Sequence, residues 1–258
     1  MLAKLMKYEL KATSRLFLPL FGAMIAMSLV NRLFQMVDSA TALNMTTPRI
    51  VSIIISTVLF IATGVVALVI MIQRFNKNLL QNEGYLMLTL PVKIESLILS
   101  KLFVSSIWYV VSCVVVSISM VLAYSVNITM DGISNTIGSL FSLASGQDAL
   151  ISFETIAMAI LGIFATVLLI YTCLALGMLA NNHRGLVAFG AFFAISTILQ
   201  ITASIAIVLL AAWGFSATWS TFAFSQLILL GIIGMLLVLC IVFFFVTRHM
   251  LRYRLNLH

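Results

Sequence analysis

Residues 155–212 read TIAMAILGIFATVLLIYTCLALGMLANNHRGLVAFGAFFAISTILQITASIAIVLLAA, and their pattern decides the fold. Two apolar runs, Thr155–Ala180 and Leu186–Ala212, are parted only by Asn181-Asn182-His183-Arg184-Gly185. A run of about 20 apolar residues crosses the hydrocarbon core of a bilayer as an α-helix. Backbone amides and carbonyls find no water in lipid and must pair within the segment, so such a run is helical. Asn and Gly favour a tight reversal between the two. The stretch therefore reads as a transmembrane helical hairpin.

Working outward, four more runs have the same character: Leu16–Val37, Ile50–Ile72, Leu102–Val126 and Ser225–Thr247. The expected fold is an all-α integral membrane protein of six transmembrane helices. Composition agrees, since 63% of the 258 residues are apolar, 8% are charged and the mean hydropathy is +1.21. That is too little charge to clothe a water-soluble surface. No internal repeat or low-complexity linker divides the chain, so residues 1–258 read as one transmembrane domain. The apolar stretch Leu16–Val30 is followed by Asn31-Arg32-Leu33-Phe34, without an A-x-A-like cleavage site, and so reads as part of a retained span.

Lys and Arg set the orientation. Lys4, Lys7, Lys11 and Arg15 precede the first run; Arg74, Lys77, Lys93 and Lys101 lie between the second and third. Arg184 sits in the hairpin, and Arg248, Arg252 and Arg254 follow the last run. Only Arg32 and Arg49 fall on the other side. The positive-inside rule then puts both termini in the cytoplasm, and the expected location is the cell (plasma) membrane. The net charge of +7 is spent on orientation signals at the ends of spans, which argues against nucleic acid as a partner.

Lys4, Lys7, Lys11 and Arg15 are spaced three, four and four, and so share one helical face opposite Leu2, Leu5, Met6 and Leu10. Residues 1–15 are expected to form an amphipathic helix in the inner headgroup layer, its cations drawn to anionic membrane lipid. The alternative is a plain orientation flank. Pro19 is placed to mark a bend between surface helix and span. The longest cytoplasmic connection, 73–101, reads QRFNKNLLQNEGYLMLTLPVKIESLILSK, with a semi-apolar middle punctuated by Gly84 and Pro91. It is longer than topology requires and suits one or two short helices below the bilayer. On the other side, 127–152 is rich in Ser, Gly and Asn and reads as a solvated extracellular loop, with room for a short helix at Ile137–Leu143. The aromatic connection Trp213–Phe224 fits an interfacial belt or a re-entrant pair of short helices.

Chemistry is sparse. Glu9, Asp38, Glu83, Glu95, Asp131, Asp148 and Glu154 all lie in loops or at span ends, which leaves no interior carboxylate for an aspartyl site or a proton relay. His183, His249 and His258 are scattered, without a metal-ligand spacing. Cys113, Cys173 and Cys240 each sit inside an apolar run and read as small packing residues, so neither a disulfide framework nor a metal site is expected. No Gly is followed by Lys, so the chain lacks a phosphate-cradling loop. An enzyme is not expected.

The spans do carry weakly polar stripes: Ser52, Ser56 and Thr63 in the second, Ser105, Ser112 and Ser119 in the third, and Ser196, Thr197, Gln200 and Ser204 in the fifth. Hydroxyl and small residues commonly let membrane helices approach and hydrogen-bond. Gln200 is different, because a carboxamide near mid-membrane wants several partners. It reads equally as interhelical glue or as the lining of a pathway.

The segment Glu83-Gly84-Tyr85-Leu86-Met87-Leu88-Thr89-Leu90-Pro91-Val92, with Lys101 opening the next span, resembles the cytoplasmic loop of type-2 permease subunits of ATP-binding-cassette (ABC) exporters. Lys7-Tyr8-Glu9-Leu10-Lys11 is similar to their amphipathic N-terminal helix. The resemblance covers about the first hundred residues by motif and the rest by layout alone. It implies that Asn78–Leu90 is a coupling helix that docks on a separate ATPase, with Glu83, Tyr85 and neighbouring Gly84 and Leu86 near the contact and Pro91 ending the helix. His183 and Arg184 offer a second contact there, or a plain turn. It also implies two ATPase copies carrying the ATP and Mg, no cofactor on this chain, and a second permease copy or a related permease as partner. A cavity where the first, second and fifth spans of two permeases meet would be lined by Ser52, Ser56, Thr63, Ser196, Thr197, Gln200 and Ser204. An apolar cavity with hydroxyls and an amide suits an amphipathic or hydrophobic cargo, peptides before drugs or lipids. The competing readings are an ion-coupled secondary transporter and a non-transporting scaffold or immunity protein.

Overall fold

The computed structural model describes residues 2–40, 46–77, 94–124, 147–180, 183–216 and 221–253. They form six long helices: α1 (Leu2–Ala40), α2 (Thr46–Phe75), α3 (Ile94–Tyr124), α4 (Gln147–Gly177), α5 (Arg184–Ser216) and α6 (Thr221–Tyr253). Each contains a stretch long and apolar enough to cross a membrane. The protein is thus an all-helical chain with six membrane-spanning candidates, as its hydropathy predicts.

The ends differ from expectation in instructive ways. Residues 2–15 and the first span are one continuous helix, unbroken at Pro19, where a separate surface helix and a bend were expected. Proline removes one backbone donor, and a long helix anchored on both sides tolerates that loss. At the far end of the 73–101 connection, residues 94–101 are already the first turns of α3. Gln147–Ser152, expected in the extracellular loop, likewise open α4, whereas 127–146, including Ile137–Leu143, lie outside the described residues. The aromatic segment Trp213–Phe224 is entered by α5 from one side and α6 from the other, so it consists of helix ends around residues 217–220 and leaves no length for a re-entrant helix pair.

The chain divides into two compact units, residues 1–74 with 99–138, and 75–98 with 139–258. In the first, α1 is the middle helix. Its Asn31 meets Ser56 and its Met24 meets Thr63, so α1 and α2 run antiparallel. Its Glu9 meets Lys101 and its Gln35 meets Ala123, so α1 and α3 run parallel. An apolar core of Phe17, Phe21, Ala67 and Ile70 is flanked by Val66, Trp108, Val111 and Val115.

In the second unit α4 is the buried helix. Val167, Leu168, Leu169, Ile170, Tyr171, Thr172 and Cys173 form an unbroken buried run, so α4 is covered all round at this level. A helix apolar on every side is one that packs on every side. Phe75 stacks on Tyr171 with ring centroids 4.0 Å apart. The α4–α5 hairpin closes at Gly177, where a Cβ would stand 2.7 Å from the Arg184 carbonyl oxygen and 2.8 Å from the Ala188 Cβ. Only glycine allows so close an approach. On α5, Ala188 is the one buried residue among the described side chains.

Candidate functional site

Three groups of polar side chains stand out against the apolar background, and each is built by the helices described above. The first is at the base of the connection between α2 and α3. Glu9, two turns into α1, accepts a hydrogen bond from Lys101 Nζ at 2.7 Å and faces Arg74 Nη1 at 3.7 Å. Lys101 is only 5% exposed and Glu9 14%. A buried ammonium is tolerated when it is paired, and here the pair joins α1 to the start of α3. One turn further along α1, Thr13 Oγ1 accepts from Trp108 Nε1 at 2.6 Å, and Phe17 stacks on the same indole at 4.6 Å. Within the other unit, Arg248 near the end of α6 pairs with Glu95 at 2.7 Å. The connection thus rises from helix ends that are held by ion pairs.

The second group is a hydrogen-bonded seam between α1 and α2. Asn31, fully buried, donates from Nδ2 to Ser56 Oγ at 2.7 Å and accepts from Ser52 Oγ at Oδ1. Ser56 Oγ donates on to the Ser52 carbonyl at 2.9 Å, and Thr63 contacts Met24 Sδ at 3.5 Å. Ser52, Ser56 and Thr63 are therefore buried and engaged in holding two helices together. Higher up, Gln35 Nε2 donates to the Ala123 carbonyl at 2.7 Å. Among the described residues, Gln35 Oε1, Ser112 Oγ and Ser119 Oγ are buried polar atoms left unpaired.

The third group is on α5. Ser196, Thr197 and Ser204 each bond a carbonyl of their own helix, at 3.1, 2.7 and 2.8 Å. Gln200 is exposed, on a helix most of whose described side chains are exposed. The serine and threonine stripe of α2 and the stripe of α5 belong to different units. They are not one cluster within either.

The remaining expected residues are placed as follows. Lys7, Lys11 and Arg15 are exposed along α1, and Lys4 belongs to its first turn. His183 has φ 59°, and its carbonyl accepts from the Val187 amide at 3.2 Å, so it sits at the N-terminal cap of α5. Arg184 begins that helix and points to solvent, with Met178 Sδ 4.0 Å from Nη1. Asn78, Glu83, Gly84, Tyr85, Leu86 and Pro91 lie outside the described residues. No group of three or more His, Cys, Asp or Glu able to hold a metal occurs among the described residues.

Sequence reading missed Asn31 and the partners of Glu9. A signal existed for the first: Met24, Ser28, Asn31 and Gln35 recur at helical spacing along α1, and all but Met24 are polar. For Glu9 none did, since its partners are 65 and 92 residues away. Comparison with known proteins finds no matching family model, no similar curated protein and no similar solved structure.

Proposed function

We propose that this chain is the permease subunit of an ABC exporter, carrying an amphipathic or hydrophobic cargo across the plasma membrane. The observation that carries the reading is the run Glu83–Val92 in a long connection between α2 and α3, with Lys101 following at the base of α3. The anchored helix ends on either side of that run support it, because a docking segment transmits force only if its supports are firm. Coupling requires a contact that differs between states. Both termini face the cytoplasm in this reading, and the exposed Lys7, Lys11 and Arg15 meet anionic headgroups along the first turns of α1.

The partners are a soluble ATPase, in two copies with its own ATP and Mg, and a second permease. Glu83 and Tyr85 supply charge and a rigid aromatic anchor for the ATPase. His183 and Arg184, exposed at the α4–α5 turn, form the secondary contact. The hydroxyls of α2 are engaged between helices, so the pathway role falls chiefly to Gln200 with Ser196, Thr197 and Ser204. An exposed carboxamide on a span is costly against lipid and favourable against a wet cavity or a partner.

Affinity co-purification of the tagged chain from membranes that also express its neighbouring genes tests the reading. A soluble ATPase is expected with the unaltered chain and is expected to be lost from the Glu83→Arg/Tyr85→Ala variant. If none accompanies the unaltered chain, the reading is wrong. Gln200→Leu is expected to assemble with the ATPase and to impair transport in vesicles; undiminished transport removes Gln200 from the pathway.

A further inference from the structure

The Glu9 carboxylate does something that neither composition nor the docking motif requires. Its two oxygens are divided between two cations, Oε1 to Lys101 at 2.7 Å and Oε2 towards Arg74 at 3.7 Å. Arg74 is one residue from the end of α2, and Lys101 is in the second turn of α3. The two cations bracket the cytoplasmic connection, one on each stem. All three residues belong to the same compact unit. We propose that Glu9 is a positioning residue that clamps both stems of the 75–100 connection to α1, so that α1 moves with the connection.

The two halves of the clamp are unequal. Lys101 is nearly excluded from solvent, and its ammonium stands at hydrogen-bond distance from Glu9, where burial strengthens the attraction. The α3 stem is fastened again at Thr13–Trp108 and Phe17–Trp108, so Glu9, Thr13 and Phe17 make three successive contacts on one face of α1. Arg74 is 33% exposed and too far for a strong hydrogen bond, so its attraction is screened and easily released. The α3 stem is the fixed arm and the α2 stem the releasable one. A push on the connection therefore reaches α1 more directly through the α3 stem than through the Arg74 end of α2. The importance of this for coupling rests on the permease reading; the clamp itself does not.

The test uses the full chain in bilayer nanodiscs of phosphatidylcholine and phosphatidylglycerol, with Cys113, Cys173 and Cys240 replaced by Ala. Nitroxides at Lys11→Cys with Gln73→Cys report α1 against the α2 stem, and at Lys11→Cys with Ile107→Cys against α3. These three positions are exposed on helices of one unit. Pulsed electron–electron resonance should give a single narrow distance for each pair. Glu9→Gln should cost the Lys11–Gln73 pair its narrow peak, and Arg74→Gln should reproduce that loss while sparing Lys11–Ile107. Should Glu9→Gln fail to fold, Glu9→Gln/Lys101→Gln removes both charges of the closest pair and keeps the chain testable. A merely structural role lowers the thermal midpoint and leaves the distances sharp. Sharp Lys11–Gln73 distances in the folded paired variant overturn the proposal. No ATPase is present, so this result and that of the co-purification fail independently.

Discussion

The two compact units are held together by different means. In the unit of α1, α2 and most of α3, polar side chains reach across: Asn31 with Ser52 and Ser56, Glu9 with Lys101, Thr13 with Trp108, Gln35 with the Ala123 carbonyl. In the unit of α4, α5 and α6, shape does most of it, through the buried run at Val167–Cys173, the Phe75–Tyr171 stack and the close approach at Gly177. Polar contacts hold this unit as well, among them Arg248 with Glu95 at 2.7 Å and Thr172 with Thr247 at 3.0 Å and with the Phe243 carbonyl at 3.3 Å. Lipid tails are as apolar as leucine, so the hydrophobic effect does not draw membrane helices together. Packing and hydrogen bonding remain, and the two units combine them in different proportions. The difference is that a packed unit resists truncation badly, while a hydrogen-bonded one is sensitive to polarity at a few atoms.

The largest effect should come from the shape-held unit. Tyr171→Ala removes a ring that is 1% exposed and stacked on Phe75, and should cost about 3–5 kcal/mol, read by unfolding the chain in mixed micelles. A cost under about 1 kcal/mol would show that the interior of this unit collapses freely and would remove the contrast. Gly177→Ala comes next, at about 1–3 kcal/mol, because the added methyl meets the Arg184 carbonyl, which is backbone and cannot swing aside. Hydrogen exchange should show the loosening at the α4–α5 turn.

Asn31→Leu should cost about 1–2 kcal/mol in the same unfolding assay. The loss is bounded because Ser52 and Ser56 can fall back on the Arg49 and Ser52 carbonyls, already 3.0 and 2.9 Å away. A larger loss would mean that Asn31 aligns α1 and α2 as well as bonding them. The smallest effect is expected from Thr172→Val, which deletes one hydroxyl without changing volume and should cost about 0.6 kcal/mol. If Thr172→Val exceeds Asn31→Leu, the assignment of polar and shape-held units is reversed.

Much of this was legible without coordinates. The six spans follow from run length, because the bilayer thickness sets a minimum that soluble helices rarely reach. Their ends were less legible. Residues 2–15 merge with the first span, and Ile94–Lys101 with the third, since a helix already nucleated in the membrane extends through polar residues at little cost. The stripe of Ser52, Ser56 and Thr63 was visible as a face, but that it faces Asn31 and Met24 was not. Gln200 was visible as an oddity, and its exposure on α5 keeps it one.

What the sequence determined by itself is whatever depends on neighbours along the chain: helical character and the number of stretches long and apolar enough to cross a membrane. Tertiary structure alone decided which polar groups meet. Glu9 meets Lys101 and Arg74, and Asn31 finds Ser56, because helices pack by rows of side chains whose register no local pattern encodes. In lipid that register matters doubly, since a buried polar group that misses its partner finds no water in its place.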